Sequence, residues 1–199
     1  MAKTLTKEHQ KYLESRLITQ EIADKYGLYS ANGRIVIPTD GPARVYSPDG
    51  SPKIKWASET DDTLPPYPSW DALRTAEVIV EGEFDCILAR EHGINAISGK
   101  AGAGTFLYEW ADTLSSGTGN VVILYDNDEA GVKGSKAAAK ILSERGVGAK
   151  LARWGTRGHP EPRGFDVTDY FKNGGTTEGL RIIIDQAKPF DGTDPEVGP

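Results

Sequence analysis

Length, composition and charge narrow the class of this protein. The chain has 199 residues, 38% of them hydrophobic and 26% charged, which suits a globular protein with a buried core. No apolar run is long enough to cross a bilayer, and one cysteine with three histidines excludes an internal disulfide and a cysteine-rich zinc site. The net charge of −6 excludes a protein that coats nucleic acid by general electrostatics. Because an apolar secretory signal is lacking, we expect a reducing, cytoplasmic setting.

The first part of the chain predicts two short helices and a small antiparallel sheet. Apolar residues recur at helical spacing from Leu5 to Gly27, where glycine ends the pattern. Three β-prone runs follow, RIVIP, ARVYS and PKIKWAS, separated by DG and PDG turn signals. Residues 59–71 are then acidic and rich in proline, which disfavours both helix and central strand. We therefore predict an N-terminal subdomain over residues 1–70.

The second part alternates between apolar strand runs and helical patterns. The strand runs are EVIV, INAI, NVVILY and AKLARW, and helices are predicted over 84–92, 105–114, 129–145 and 177–187. This alternation predicts a mostly parallel sheet covered by helices. The expected fold class is α/β, with a parallel-sheet domain over residues 71–190, a small mixed α+β subdomain before it and a flexible tail over 191–199.

Acidic residues directly follow two of the predicted strands. Glu81 comes after EVIV, and Asp126 and Asp128 come after NVVILY. Ligands of an open parallel sheet bind beyond the carboxyl ends of its strands, so these three acids should lie at one edge. Mg²⁺ takes carboxylate oxygens together with water and substrate phosphates, and bound ions suit phosphoryl chemistry. Each acid taken alone also fits a helix N-cap or a first-turn charge, and the pairing of the two clusters is what favours a metal site.

Two segments of the sequence resemble the TOPRIM domain, which bacterial-type primases, type IA and II topoisomerases and several nucleases share. They are VIVEGEFD at 78–85 and LYDNDEAGVKGSKAA at 124–138. The resemblance implies that Glu81 is the invariant acid of the family and that Asp126 and Asp128 are the metal-binding pair. All three are expected to be catalytic and to hold the metal. A third motif of the primase branch is similar to FDVTDYF, which implies Asp166 and Asp169 as further metal ligands. The cofactor implied is Mg²⁺, with Mn²⁺ as a substitute.

The region before these motifs resembles the polymerase subdomain that precedes TOPRIM in primases. The order of runs that carries this likeness is RIVIP, ARVYS and PKIKWASETDD. It implies that Arg34, Arg44, Lys53 and Lys55 line a basic groove for template or nucleotide, with Trp56 as a stacking surface. Taken alone, each residue also fits a solvated strand face, with Trp56 packed in a small core.

Three more residues carry expectations. Lys100 lies in SGKAGAGT, which lacks the ending of a Walker A motif, so this loop predicts either a phosphate contact or a tight turn. Lys133 follows the acidic pair on the next helix and could steer phosphates or remain a solvated charge. Cys86 is expected in the core, because no basic residue nearby in the sequence would make its thiol reactive.

The resemblance as a whole implies a function. It is DNA-templated synthesis of RNA primers from nucleoside triphosphates, on single-stranded DNA, by Mg²⁺-dependent nucleotidyl transfer. Two alternatives stay open: a TOPRIM nuclease that uses the same carboxylates, and a non-catalytic module that binds single strands or a helicase. The sequence contains no zinc ribbon or helicase-binding domain. A replicative helicase and a zinc-binding module are therefore expected as partners in trans or in a longer parent chain.

Overall fold

The computed structural model describes residues 3–50, 54–56, 65–99, 106–155 and 160–192. Its elements, in chain order, are α1 (Lys7–Ser15), α2 (Gln20–Lys25), β1 (Tyr29–Ala31), β2 (Arg34–Ile37), β3 (Arg44–Tyr46), β4 (Ile54–Trp56), α3 (Trp70–Arg74), β5 (Val78–Val80), α4 (Glu83–Glu91), β6 (Ala96–Ser98), α5 (Tyr108–Ser115), β7 (Asn120–Leu124), α6 (Glu129–Glu144), β8 (Gly148–Leu151), α7 (Val167–Lys172), α8 (Thr177–Asp185) and β9 (Lys188–Pro189). No helix within these ranges is long and apolar enough to cross a bilayer.

Helices α1 and α2 are both capped by threonine. The hydroxyls of Thr6 and Thr19 each accept a hydrogen bond from a backbone N–H three residues later, which satisfies donors that a first helical turn leaves unpaired. Between the two helices Leu17 has a φ of 62°, a left-handed conformation that non-glycine residues seldom adopt. This turn also carries Arg16, which reaches the candidate site described below.

The first sheet is antiparallel and has four strands in the order β1-β2-β3-β4. Asn32 and Gly33 connect β1 to β2 with φ values of 51° and 70°, as a two-residue hairpin turn requires. The three strands predicted from the sequence are confirmed as β2, β3 and β4. Strand β1 was not predicted, although the Asn-Gly pair before RIVIP is a strong hairpin signal.

The second sheet has five strands in the order β6-β5-β7-β8-β9. Strands β5 to β8 run parallel to one another, and β9 pairs antiparallel with β8 at the edge. Strand β5 lies between β6 and β7 and is buried along its whole length. The predicted parallel sheet covered by helices is confirmed, while α3 and β9 were not predicted.

The hydrophobic core joins the two sheets. One cluster of buried residues contains Leu13 of α1 and Ile37 of β2 together with Phe84 of α4 and Val167 of α7. Tyr67, in the proline-rich stretch, is also buried there, and its N–H bonds to the carbonyl of Ser98 at 3.0 Å. Both halves of the chain thus contribute to one core, and the division at residues 70 and 71 stays a prediction.

Candidate active site

Sheet topology places Glu81 next to the Asp126 turn. Strands β5 and β7 are hydrogen-bonded parallel neighbours, and their register puts Val80 opposite Leu124. Glu81 follows Val80 directly, and Asp126 is two residues past Leu124. The carboxyl ends of the two strands therefore present these acids at one edge of the sheet, as expected from the sequence. Their role as metal ligands stays a prediction.

The turn between β7 and α6 is fixed by close backbone contacts. Asp128 is the N-cap of α6, and its Oδ1 accepts a hydrogen bond from the N–H of Gly131 at 2.7 Å. A Cβ on Gly131 would lie 2.2 Å from the carbonyl oxygen of Asp126, so only glycine allows this approach. The capping role considered for Asp128 is thus real, and it uses one of the two carboxylate oxygens.

Asp85 joins the site from the first turn of α4. It is buried, and its Oδ1 accepts hydrogen bonds from the backbone N–H and the hydroxyl of Thr168, at 3.2 and 2.8 Å. A Cβ on Gly82 would lie 2.9 Å from Oδ2 of Asp85, so this glycine leaves room for the carboxylate. Asp85 was not among the predicted site residues, although its position four residues after Glu81, one turn into the next helix, was a usable signal.

The loop before α7 brings Asp166 to the same edge. The N–H of Asn127 donates to the carbonyl of Phe165 and the N–H of Gly164 donates to the carbonyl of Asn127, both at 2.9 Å. Asp166 then caps α7, because its Oδ1 accepts a hydrogen bond from the N–H of Asp169 at 2.7 Å. Of the two acids predicted from this motif, Asp166 reaches the site with its side chain, while Asp169 supplies its backbone N–H to the cap.

Arg16 lies between two of these carboxylates. Its Nη2 is 3.0 Å from Oδ2 of Asp166, 3.2 Å from Oγ1 of Thr168 and 3.5 Å from Oδ1 of Asp85. Burial alone would lower the pKa of Arg16, but the charges of Asp85 and Asp166 outweigh it and raise that pKa. No local sequence pattern points to Arg16, since 150 residues separate it from Asp166.

The carboxylates at this edge of the sheet raise one another's pKa values. Burial and then the charges of neighbouring carboxylates raise the pKa of Asp126 to about 9; these neighbours are Asp85, Glu81, Asp166 and Asp128. Burial and the charge of Asp166 raise the pKa of Asp85 to about 6, against the opposing charge of Arg16. A divalent ion would lower the repulsion between carboxylates that lie close together away from water, so the chemistry of these side chains suits Mg²⁺.

The carboxylate side chains are not arranged to bind one metal ion together. Among the described residues, no three Asp, Glu, His or Cys side chains are arranged to hold one ion. The hydrogen bonds explain why, since one oxygen of Asp128 and one of Asp166 serve helix caps and the other oxygen of Asp166 faces Arg16. Binding of one metal ion by these acids would therefore require rotation of carboxylate side chains.

The structure assigns different surroundings to the predicted basic residues. Lys55 and Lys133 are exposed and Arg34 is half-buried, while Lys53, Lys100 and the side chain of Trp56 lie outside the described residues. Their binding roles stay predictions. Cys86 is fully buried, as expected.

Arg44 departs from the open groove expected for it. It is 1% exposed and forms an ion pair with Glu83 of α4. Its guanidinium also donates hydrogen bonds to the carbonyls of Gly99 at 2.6 Å and Pro65 at 3.3 Å. Burial lowers the pKa of Arg44 to about 10. The physical reason for the correction is that this face of β3 packs against α4, so Arg44 ties the two sheets together.

Comparison with protein families and curated sequences gives consistent matches. Residues 78–161 match the family model described as Toprim-like. A DNA primase of Aquifex aeolicus is 26% identical over 161 residues, which are 80% of this chain and 30% of that protein. A DNA primase of Clostridium acetobutylicum is 29% identical over 114 residues, or 57% of this chain and 18% of that protein. The chain thus spans less than a third of the length of these relatives.

A solved structure shares the fold of almost the whole chain. It is the crystal structure of the Aquifex aeolicus primase containing zinc binding and RNA polymerase domains. The match has a TM-score of 0.74 and 22% sequence identity, and it covers 93% of this chain and 57% of that one. The likeness includes the first sheet as well as the second, which confirms the predicted fold class.

Proposed function

We propose that the chain synthesises RNA primers on single-stranded DNA by Mg²⁺-dependent nucleotidyl transfer, because residues 78–161 match the Toprim-like model and the chain is similar to DNA primases. One observation carries the proposal: adjacent parallel strands, with Val80 opposite Leu124, end in Glu81 and in the Asp126 turn. Phosphoryl transfer depends mainly on positioning and on neutralising charge, and an edge rich in carboxylates supplies both through bound metal.

The site residues would have different roles in the proposed reaction. Glu81, Asp126 and Asp128 would hold Mg²⁺, which supplies charge neutralisation for the triphosphate and activation of the attacking hydroxyl. The indole N–H of Trp154 donates to the carbonyl of Tyr125 at 3.0 Å and so fixes the end of β7 from which Asp126 projects. Glu81 comes from the neighbouring strand, and we assign it the further role of accepting the proton of the primer 3′ hydroxyl.

Binding of the template and nucleotide would depend on basic residues outside the acidic edge. We assign Arg34, Lys53, Lys55, Lys100 and Lys133 to phosphate contacts. Such contacts contribute chiefly to salt-dependent affinity and little to the chemical step. Since the chain spans under a third of its curated relatives, a helicase and a zinc-binding module are proposed as partners that complete priming.

The proposal is tested by synthesis in vitro. The protein is incubated with mixed-sequence single-stranded templates, labelled ribonucleotides and Mg²⁺ or Mn²⁺, and the products are separated on a gel. We expect short RNAs from the wild type and a loss of at least about a hundredfold in Glu81→Gln and Asp126→Asn, the usual scale for a group that acts in the transition state. Asp112→Asn, an exposed acid on α5, is the matched control.

Other outcomes of the same assay separate the alternatives. Cleavage of the template without synthesis would indicate a nuclease using these carboxylates. Template binding without synthesis, equal in wild type and Asp126→Asn, would indicate a non-catalytic module. Template affinity measured against salt provides a further check, because Lys55→Ala and Lys133→Ala should each lower affinity and salt dependence while leaving turnover of saturated protein nearly unchanged.

A further inference from the structure

Arg16 is held at the acidic edge by contacts on several sides. Besides its polar contacts with Asp85, Asp166 and Thr168, its guanidinium carbon lies 5.8 Å from the centroid of the Phe84 ring. Its side chain is 23% exposed. Arg16 lies at the end of α1, far from the acidic motifs in the sequence. Its position among them is therefore set by the tertiary structure alone.

The backbone that carries Arg16 is anchored on both sides. Leu13 and Ile18 flank it along the chain, and each is only 1% exposed in the core that the two sheets share. Leaving the site would therefore require Arg16 to break its polar contacts while its neighbours stay packed. A guanidinium keeps its charge at any ordinary pH, and its planar fork matches two carboxylates at once.

We propose that Arg16 is a positioning residue that acts as a built-in cation of the active site. Its single positive charge offsets part of the negative charge of Asp85 and Asp166, so that Glu81, Asp126 and Asp128 bind one divalent ion. In this arrangement the protein itself supplies part of the positive charge that a second metal ion would otherwise provide. The inference rests on the proposed function, because it concerns how the same group of carboxylates binds metal.

The test is a titration of the full chain with Mn²⁺ alone, followed by electron paramagnetic resonance and calorimetry. We expect one equivalent of Mn²⁺ in the wild type. Arg16→Gln should bind a second equivalent and bind the first about tenfold more tightly, the scale on which a neighbouring charge acts on a carboxylate. Arg16→Lys keeps the charge and should bind one equivalent. Arg145→Gln, an arginine on the surface, is the control for loss of positive charge in general.

A second readout separates this role from a merely structural one. Thermal unfolding of Arg16→Gln should occur at a lower temperature than that of the wild type without metal, and most of the difference should disappear with Mn²⁺. A purely structural role would give the same difference in both conditions. If Arg16→Gln does not fold, Asp85→Asn provides the reciprocal test, because Arg16 is then in excess and Mn²⁺ should bind more weakly than in the wild type.

The outcomes distinguish this inference from the proposed function. Mn²⁺ binding of unchanged number and affinity in Arg16→Gln overturns the role of Arg16 and leaves the proposed function standing. Absence of Mn²⁺ binding in the wild type overturns the proposed function, and the role of Arg16 with it.

Discussion

The two sheets of this protein position their charged residues by different means. In the parallel sheet, topology alone determines where a residue lies, since whatever follows β5 or β7 arrives at the same edge. In the antiparallel sheet, successive side chains point to opposite faces, and packing decides which face meets water. Glu81 and Asp126 follow the first rule. Arg44 follows the second, because its face of β3 packs against Glu83 of α4.

The largest effect on stability should come from removing the buried charge of Arg44. Arg44→Met leaves Glu83 buried without its cation, and we expect a loss of about 3–5 kcal/mol in the free energy of unfolding, measured in urea. Adding Glu83→Gln to the same chain should restore at least half of that loss, because the unpaired charge is then absent. Equal instability of the single and double variants would show that the two sheets are joined by other contacts instead.

The next effect concerns the turn that carries Asp126 and Asp128. In Gly131→Ala the new Cβ meets the Asp126 carbonyl, so the turn must shift at a cost of about 1–3 kcal/mol. Mn²⁺ affinity should fall as well, because both carboxylates move. Ala137→Gly, at an exposed position of the same helix, should lose about 1 kcal/mol of stability through helix propensity alone and retain metal affinity. Normal Mn²⁺ binding by Gly131→Ala would contradict a rigid turn.

Asp126→Asn should have a smaller effect, and it should increase stability instead of lowering it. An acid whose pKa is raised in the folded state binds its proton more tightly there than in the unfolded chain, so stability falls as pH rises from about 4 to about 9. Without metal, Asp126→Asn should therefore be more stable than the wild type at pH 8, by roughly 1–2 kcal/mol after allowing for solvent screening.

Melting temperatures measured in chelator between pH 4 and pH 9 check this prediction. The wild type should lose stability across the range and Asp126→Asn should lose less, while Asp71→Asn, fully exposed on α3, should follow the wild type. Mg²⁺ should stabilise the wild type at pH 8 and leave Asp126→Asn nearly unaffected. A wild-type stability that rises with pH would contradict the crowding of carboxylates.

The smallest effect concerns the turn that delivers Arg16. Leu17 is 37% exposed and has a positive φ, which glycine adopts without strain and alanine does not. Leu17→Gly should be more stable than Leu17→Ala by about 1 kcal/mol in urea unfolding. The matched pair removes the leucine side chain in both variants, so the difference isolates the backbone. Equal stabilities would show that this turn relaxes to another conformation.

Much of the fold could be predicted, and the omissions have physical reasons. Apolar runs of the parallel sheet are continuous because both faces are covered, so β5 to β8 stand out in the sequence. Strand β1 has three residues that are all half-buried, and helix α3 has five residues, so neither produces a clear periodic pattern. Strand β9 has two residues and contains a proline, which makes it invisible to strand propensity.

Site residues could be predicted from the sequence only where the sheet topology determines their position. Glu81, Asp126 and Asp128 could be nominated because their place follows from the ends of two strands. Asp85 was overlooked because an acid in the first turn of a helix is also explained by the helix dipole. Arg16 and Arg44 depend on contacts between distant parts of the chain, and those contacts left no pattern in the residues around either arginine. Periodicity reports burial along one element, not which other element covers it.

Asn127, the residue between Asp126 and Asp128, connects the acidic turn to the loop that precedes α7. It exchanges two backbone hydrogen bonds with Gly164 and Phe165, and its side-chain amide donates to the carbonyls of Glu161 at 2.7 Å and Pro162 at 3.1 Å. The loop that leads to Asp166 is thus fastened to the middle of the acidic turn. When an ion draws the two aspartates together, this loop must move with them, and we expect the start of α7 to report metal binding even though it lies 40 residues further along the chain.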